Sequence, residues 1–400
     1  MKKLLIVGAG IDQVPAIQKA KELGHEIHAV DFNPEAPGFA FTDRHAVIST
    51  TDIDGVAGYC QSNKIDGLFT VSAEKSVRTV AAVGALLGLP TISTETALAA
   101  TDKGTMRQYM RDYGLAVPGS LKTESLSEAL KYAETLQNFF VIKPSDSSGQ
   151  RGVKLMKSME DFEKFFSKAQ AYSSDRAVMI EEFIPGPEIN ITAIMHRGTP
   201  ELVSISDRVT KRDGSFGVAI EHLYPTCLSQ TDDESVIQLA FDSMRAIKMT
   251  DGIAYPQIIM SPSGPQLVEV AARIPGGNMR EMALYQSGID LNEVAIRQAL
   301  DEDFVLSELQ SAPAHEAVMI KFITRESIPA EIQVIKAIRG LEEIPKIPNI
   351  KEFYLRLSEG DQIPPLENGL GRFGAVMGVG SSRAEVQQLT NHAIDQLQIT

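Results

Sequence analysis

The first ninety residues alternate wholly apolar runs with amphipathic ones, and that alternation restricts the fold more than any other feature. LLIV near the start is a continuous apolar run of strand length. The next segment, IDQVPAIQKAKELG, puts Val14, Ile17, Ala20 and Leu23 on one helical face and stops at Gly24. HEIHAVDFN and HAVIST read as strands, VAGYCQSNK as a helix, DGLFTV as a strand and SVRTVAAVGALLG as a helix. A strand that is apolar throughout is covered on both faces, and parallel strands need crossover connections. The pattern therefore predicts a doubly wound open sheet with right-handed crossovers. Gly8 and Gly10 give G-x-G, but Gln13 stands where a dinucleotide fingerprint has its third glycine, although Asp31 ends the second strand as a ribose-binding acid would. A turn that lines a small-molecule cleft beyond the strand ends fits better than NAD binding. Glycines that serve the turn alone remain the alternative.

Composition removes several classes of function. With 38 basic and 52 acidic residues among 400, the net charge is −14. A bulk nucleic-acid binder needs a basic surface, so no nucleic-acid partner is expected. The two cysteines, Cys60 and Cys227, lie far apart and outside any metal-ligand spacing, as suits thiols in a reducing cytosol. No apolar run approaches the roughly 18 residues that span a bilayer. A cytoplasmic protein with no membrane partner is expected, and a homodimer is left open.

Past residue 92 the chemistry concentrates. STETALAATDKGTMRQYMRDYGLAVP reads as a helical stretch closed by Gly114 and Pro118, with Met106, Tyr109 and Met110 on its buried stripe and Lys103 near its start. On its own Lys103 is a solvated helix lysine. FFVIKPSDSSGQRGVKLM is strand, flexible turn, strand. No G-K-[ST] follows the glycines, so this is not a Walker A loop. A loop of Ser147, Ser148, Gly149 and Gly152 can still fold over phosphates with its amides and hydroxyls, while Lys143 beneath adds a compact positive charge. The alternative is a plain hairpin with a snorkelling lysine. AVMIEEFIPGPEINI ends a strand in Glu181 and Glu182, then gives Ile184, a Pro-Gly turn and Glu188. An apolar slot with a backbone edge suits a base, and a nearby carboxylate suits ribose hydroxyls; exposed hinge acids are the alternative. In QLVEVAARIPGG, strand alternation puts Glu269, Ala271 and Arg273 on one face, where carboxylate and guanidinium suit Mg²⁺ and a transferring phosphoryl group. A plain Glu–Arg surface pair is the alternative.

Together these segments resemble the ATP-grasp superfamily of carboxylate-activating ligases over nearly the whole chain. DKGTMRQYMRDYGLAVP resembles its first-lysine helix, VIKPSDSSGQRGV its second-lysine strand and glycine loop, IEEFIPGPEI its adenine–ribose hinge and QLVEVAARIPGG its metal strand. SDRVTKRDGSFGVAIEHLYPT resembles the phosphate- and substrate-facing stretch. RFGAVMGVGSSRAEVQQLTNHAIDQL resembles the closing subdomain of the purine-biosynthesis and carbamoyl-phosphate-synthetase-like branches.

The resemblance implies an α/β and α+β architecture. A doubly wound pre-ATP-grasp domain would span 1–92, a two-part ATP-grasp core 93–300, and a C-terminal antiparallel-sheet module 301–400. It implies that Lys103 and Lys143 contact ATP phosphates under a lid of residues 145–153. Glu181 and the Glu182–Ile184 backbone would hold adenine, and Glu188 the ribose. Glu269 would bind Mg²⁺ (or Mn²⁺), Arg273 would hold phosphate or acyl-phosphate, and Arg208, Lys211 and His222 would lie near the reacting groups. The implied reaction activates a small carboxylate, amino-acid-derived substrates favoured, as an acyl-phosphate for attack by an amine. Two positions depart from the family pattern: Gln257 replaces an expected metal acid, and Ala271 replaces an asparagine. The E-x-A-x-R form resembles the amino-acid-ligase branch. Gln257 leaves a nucleotide-binding homologue with weakened or lost catalysis as the alternative, with Asn278 or water as substitute ligands.

Overall fold

Strand and helix alternate at the start as the pattern predicts. In the computed structural model, which describes residues 1–136, 139–211 and 216–400, the chain opens with β1 (Lys3–Val7), α1 (Val14–Glu22), β2 (Glu26–Asp31), β3 (Arg44–Val47), α2 (Ile53–Asn63), β4 (Gly67–Phe69) and α3 (Glu74–Leu87). The four strands form a parallel sheet in the order β3-β2-β1-β4. Gln13 fills the glycine turn from inside. A Cβ on Gly10 would stand 3.0 Å from its Oε1, and its Nε2 donates to the Val71 carbonyl at 2.5 Å. Asp31 accepts from the amides of Ala9 (2.8 Å) and Asn33 (2.9 Å). The residues that hinted at a dinucleotide are engaged in holding the turn itself.

The helical stretch after residue 92 is two helices, α4 (Thr94–Thr101) and α5 (Lys103–Asp112). Asp102 separates them: its backbone is extended and its carboxylate accepts from the Thr105 amide at 2.8 Å, which caps α5 and fixes Lys103 in the first turn. Next come β5 (Ser120–Thr123), α6 (Leu126–Thr135), β6 (Phe140–Pro144), β7 (Lys154–Met156), α7 (Phe162–Tyr172) and β8 (Val178–Glu182). The strands form an antiparallel sheet, β5-β8-β6-β7, packed through Phe140, Ile142 and Ile180 on Phe162, Phe166 and Ala129 of its helices.

A larger sheet follows. It is built from β9 (Glu188–His196), β10 (Thr199–Thr210), β11 (Ala219–Tyr224), β12 (Gly252–Ser261), β13 (Gly264–Ala271), β14 (Ala317–Thr324), β16 (Ile350–Leu355) and β17 (Arg372–Gly380). A short ribbon pairs β15 (Ile338–Arg339) with β18 (Gln398–Ile399). The eight strands run in the order β13-β12-β9-β10-β11-β14-β17-β16. The C-terminal strands expected as a sheet of their own therefore continue the core sheet, because β14 pairs with β11. One face of the sheet packs on α8 (Gln230–Ala246) through Val236, Leu239 and Met244. The other packs on α9 (Met279–Ser287) through Met279 and Met282, against Ile320, Phe322 and Met377. The next helix, α10 (Leu291–Ala299), lies within the 93–300 span but joins the core of the N-terminal sheet, with Leu291, Val294 and Ile296 beside Leu4, Ile6 and Ile17. Gly67 permits this approach, since a Cβ there would stand 2.2 Å from the Ala299 carbonyl oxygen. The final helix, α11 (Arg383–Asp395), packs on β14 and β17. Among the described residues no helix is long and apolar enough to cross a membrane.

Candidate active site

Between the two antiparallel sheets lies a cavity of about 530 Å³. Its walls come from α5, β6, the loop after β6, the end of β8, and strands β9, β10, β12 and β13. Lys103, Lys143, Ser147, Ser148, Gly149, Glu181, Glu182, Ile184, Glu188, Arg208, Gln257 and Glu269 all line it. Val141, Leu155, Ile184, Ile259 and Val268 give it an apolar slot.

At the polar end, three cations crowd two carboxylates. Lys143 Nζ lies 2.5 Å from Glu181. Arg107, which is fully buried, donates to the same carboxylate at 2.9 and 3.2 Å and to the Val268 carbonyl at 2.6 Å. Burial opposes ionisation of Glu181, but Arg107 and Lys143 outweigh it and hold its pKa at about 2. Burial also lowers the pKa of Lys143, with Arg107 and Lys103 adding to that and Glu181 opposing it. Lys103 Nζ donates to the Ser147 carbonyl at 2.9 Å and stands 3.8 Å from Glu269. Glu269 also faces Gln257, whose Nε2 donates to it at 3.1 Å. Burial raises the pKa of Glu269, but Lys103 and Lys143 reverse the shift and keep it ionised. The three cations against two acids leave this end electropositive, as a polyphosphate requires.

The loop over the cavity has a base fixed by side chains and a crest held through two of its carbonyls. Ser145 bonds to Asp175 at 2.8 Å, and Asp146 accepts from Ser173 and the Ser174 amide. Gly152 also belongs to the base, because its positive φ and close approach to Tyr172 and Pro144 leave no room for a Cβ. Ser147, Ser148, Gly149 and Gln150 remain over the cavity, and the Gly149 carbonyl accepts from the Gly369 amide at 3.1 Å.

Several expected site residues are held differently from their expected roles. Glu181 is clamped by two cations, so it anchors the floor of the cavity. The amides of Glu182 and Phe183 donate to the Gly119 and Phe139 carbonyls, which leaves the base slot mostly to side chains such as Ile184. Glu188 faces the cavity, but its oxygens already accept from Arg208 (2.5 Å) and Thr210 (3.0 Å). His222 lies opposite Arg208 in the β10–β11 register and is buried, with Nδ1 2.8 Å from Asn190. Burial, then Arg208 and Arg372, push its pKa well below the usual imidazole value, so it stays neutral. It supports the sheet under Arg208 and does not line the cavity. Lys211 pairs with Glu326, outside the cavity. Arg273 lies two residues past the end of β13, where the chain bends, and reaches Glu74 of α3 at 2.5 Å, while its charge still helps keep Glu269 ionised. Asn278 is likewise engaged, accepting from the Tyr354 hydroxyl at 2.9 Å. A second cavity, of about 400 Å³, lies beyond Arg273 among Leu68, Val77, Ile92 and Ala299 and holds none of the phosphate-facing groups.

Two arginines of this region were not anticipated. Arg107 is four residues past Lys103 on α5, a spacing that puts both on one helical face, and this was the signal available. Arg372 opens β17 and gave no signal apart from its place beside glycines.

Among the described residues no group of three or more His, Cys, Asp or Glu could cage a metal ion. Glu269 and Gln257 offer one carboxylate and one amide oxygen. That set fits Mg²⁺, which keeps several waters and takes its remaining oxygens from substrate phosphates.

Comparison with known proteins bears on the same region. Residues 101–276 match the phosphoribosylglycinamide synthetase ATP-grasp (A) domain, and residues 330–400 match the L-amino acid ligase C-terminal domain 2. The chain is 24% identical over 308 residues to an L-arginine-specific L-amino acid ligase of Bacillus subtilis, covering 73% of this chain and 70% of the relative. It is 25% identical over 296 residues to a phosphoribosylamine–glycine ligase of Methanocorpusculum labreanum, covering 68% and 67%. In fold it is similar to L-amino acid ligase from Bacillus licheniformis, with a TM-score of 0.84 at 20% identity over 100% of this chain and 98% of that one. It is also similar to phosphoribosylglycinamide synthetase from Anaerococcus prevotii, with a TM-score of 0.79 at 19% identity over 100% and 99%.

Proposed function

We propose that this chain, which belongs to the ATP-grasp superfamily of carboxylate–amine ligases, uses ATP to activate a small, amino-acid-derived carboxylate and joins it to an amine. The observation that carries the reading is the convergence of Lys103, Lys143, Glu269 and the serine–glycine loop on one cavity beside an apolar slot. The substrate carboxylate attacks the terminal phosphorus of ATP and releases ADP. The amine then attacks the acyl carbon, phosphate leaves, and the amine proton goes to solvent. Lys103 and Lys143 neutralise the phosphates, and the loop amides bind their oxygens. The crest at Ser147–Gln150 excludes water from an intermediate that water would destroy. Glu269 and Gln257 would hold Mg²⁺, which would supply charge neutralisation at the phosphates. Mn²⁺ suits the same oxygen ligands. The activities of the relatives give no support to a homologue without turnover.

ADP release is the test, measured over a panel of carboxylates paired with amines. The expected result is release that needs both partners. ATP binding with no release for any pair would sink the reading.

Gln257→Glu is expected to tighten Mg²⁺ binding several-fold, because it adds a charge beside Glu269. Without Mg²⁺ the two carboxylates repel, so the variant should melt lower than the parent and gain more from added Mg²⁺. Equal Mg²⁺ responses in melting and in turnover would take residue 257 out of the metal site.

A further inference from the structure

The second cavity, of about 400 Å³, shares no lining residue with the nucleotide cavity. It lies where β4 and α3 meet the end of β9, the start of β12 and the end of α10. Leu68, Val80, Leu89, Ile253, Ile274 and Ala295 give it apolar walls. Gly88 and Asp301 line it and are exposed, so it reaches the surface. A hollow of this size, mostly apolar with a few polar groups at one end, has the character of a small-molecule site.

The charges at its mouth are mainly of one sign. Asp251, Asp301 and Glu302 all line it. Arg197 pairs with Asp301 at 2.9 Å, and Arg297 with Glu302 at 3.2 Å. Asp251 accepts from the Arg197 amide at 2.9 Å but, among the described residues, forms no ion pair with a lysine or arginine. Beside it His196 stacks on Phe304, with ring centres 4.1 Å apart. The buried His196 Nδ1 has no hydrogen-bond partner and stands 3.5 Å from the Asp251 carboxylate. Gln298 donates to the Met195 carbonyl at 2.8 Å, and Met195 is paired with Gly252 in the sheet, which brings Gln298 close to Asp251. Arg273, the one arginine among the described residues of the wall, is held by Glu74 and the Ile274 carbonyl. The mouth therefore offers acceptors to a cationic donor and no free cation to an acid.

We infer that this cavity binds a small amine with an apolar tail, its ammonium at Asp251 and its tail between α3 and α10, as an effector of the nucleotide site. The link runs through Arg273, whose Nε and Nη2 lie 2.7 and 2.5 Å from Glu74. Glu74 opens α3 and borders the phosphate end with Lys103, Ser147 and Glu269. Further along the same helix, Val77 and Val80 line the apolar cavity. A ligand packed on α3 and Arg273 thus bears on groups that face the phosphates. Binding of the amine does not depend on the ligase reading; the link to ATP rests on the nucleotide site of that reading.

The experiment is calorimetry with isopentylamine, phenethylamine and hexylamine, and with the matching alcohols and carboxylic acids. Wild type is compared with Asp251→Asn, which keeps an acceptor for the Arg197 amide, and with Ala295→Phe, which fills the cavity from α10. Neither residue lines the nucleotide cavity. Wild type should bind an amine about tenfold to a hundredfold more tightly than its alcohol, the size of one charge-assisted pair, and the acid more weakly still. Asp251→Asn should erase that preference. Ala295→Phe should abolish amine binding and leave the Kd for ATP unchanged. In wild type, saturating amine should shift the Kd for ATP severalfold, and saturating ATP should shift the Kd for the amine by the same factor. Alcohol and amine bound equally, or amine binding that survives Ala295→Phe, overturns the site. A Kd for ATP unmoved by bound amine overturns the effector role. Amine binding by a wild type that binds no ATP strikes the ligase reading and leaves the amine site standing. Should Ala295→Phe fail to fold by circular dichroism, Asp251→Asn decides by the amine-over-alcohol ratio.

Discussion

Arg107→Met should destabilise the protein by about 3–5 kcal/mol, measured by urea or thermal unfolding without ligand. Methionine fills a similar volume, so the loss is electrostatic rather than a packing defect. Arg107 is fully buried and joins α5 to both sheets: it donates twice to Glu181 on β8 and once to the Val268 carbonyl on β13. Removing it leaves Glu181 with Lys143 alone and the Val268 carbonyl short of a donor. Lys143 still compensates part of the charge, which puts the expected loss toward the lower end of the range. Adding Glu181→Leu should restore little of the stability, because it strands the buried Lys143, whose direct acid partner is Glu181. The pH dependence follows the same logic. Glu181 is held at about 2 against an ordinary 4.5, so its contribution is full above about pH 4.5 and is lost as pH falls toward 2. Arg107→Met should flatten that acid limb. A loss below about 1 kcal/mol would mean the pair does not tie the cavity walls together.

The difference between Arg107 and Lys143 shows how far the sequence could be read. Lys143 follows an apolar strand and precedes a run of small residues, so its role could be inferred from local contrast. Arg107 belongs to a helix that also carries Lys103, Arg111 and Asp112, and nothing local separates a buried guanidinium from solvated neighbours. Only the approach of β8 and β13 makes it interior. The parallel strands were legible because continuous apolar runs have one physical explanation. The continuation of the C-terminal strands into the core sheet was not, since an edge strand looks the same whichever sheet it joins. The pairing of Arg273 with Glu74 was hidden for a related reason. Strand alternation is valid only while the strand lasts, and β13 ends two residues earlier, where the chain bends toward Glu74.

Lys143→Ala should weaken ATP binding by about 2–5 kcal/mol, roughly thirtyfold to several thousandfold, measured by calorimetry. It should do so without a matching loss of stability. The lysine is buried beside two other cations, Arg107 and Lys103, and its direct acid partner, Glu181, is already bonded to Arg107. Burial lowers its pKa below the ordinary 10.5, with Glu181 opposing. A lysine with a lowered folded pKa costs stability at neutral pH, and stability rises as it deprotonates on the way to 10.5. Its charge therefore serves the ligand at the expense of the empty protein. Phosphate restores the missing anion and draws the pKa back up, so wild-type ATP affinity should fall as pH rises through the depressed value. Lys143→Ala should lack that alkaline limb. Unfolding midpoints for the variant should equal or exceed the parent's while affinity collapses. A variant that binds ATP like wild type would remove the lysine from phosphate binding. One that loses affinity and stability together would make Lys143 a structural partner of Glu181.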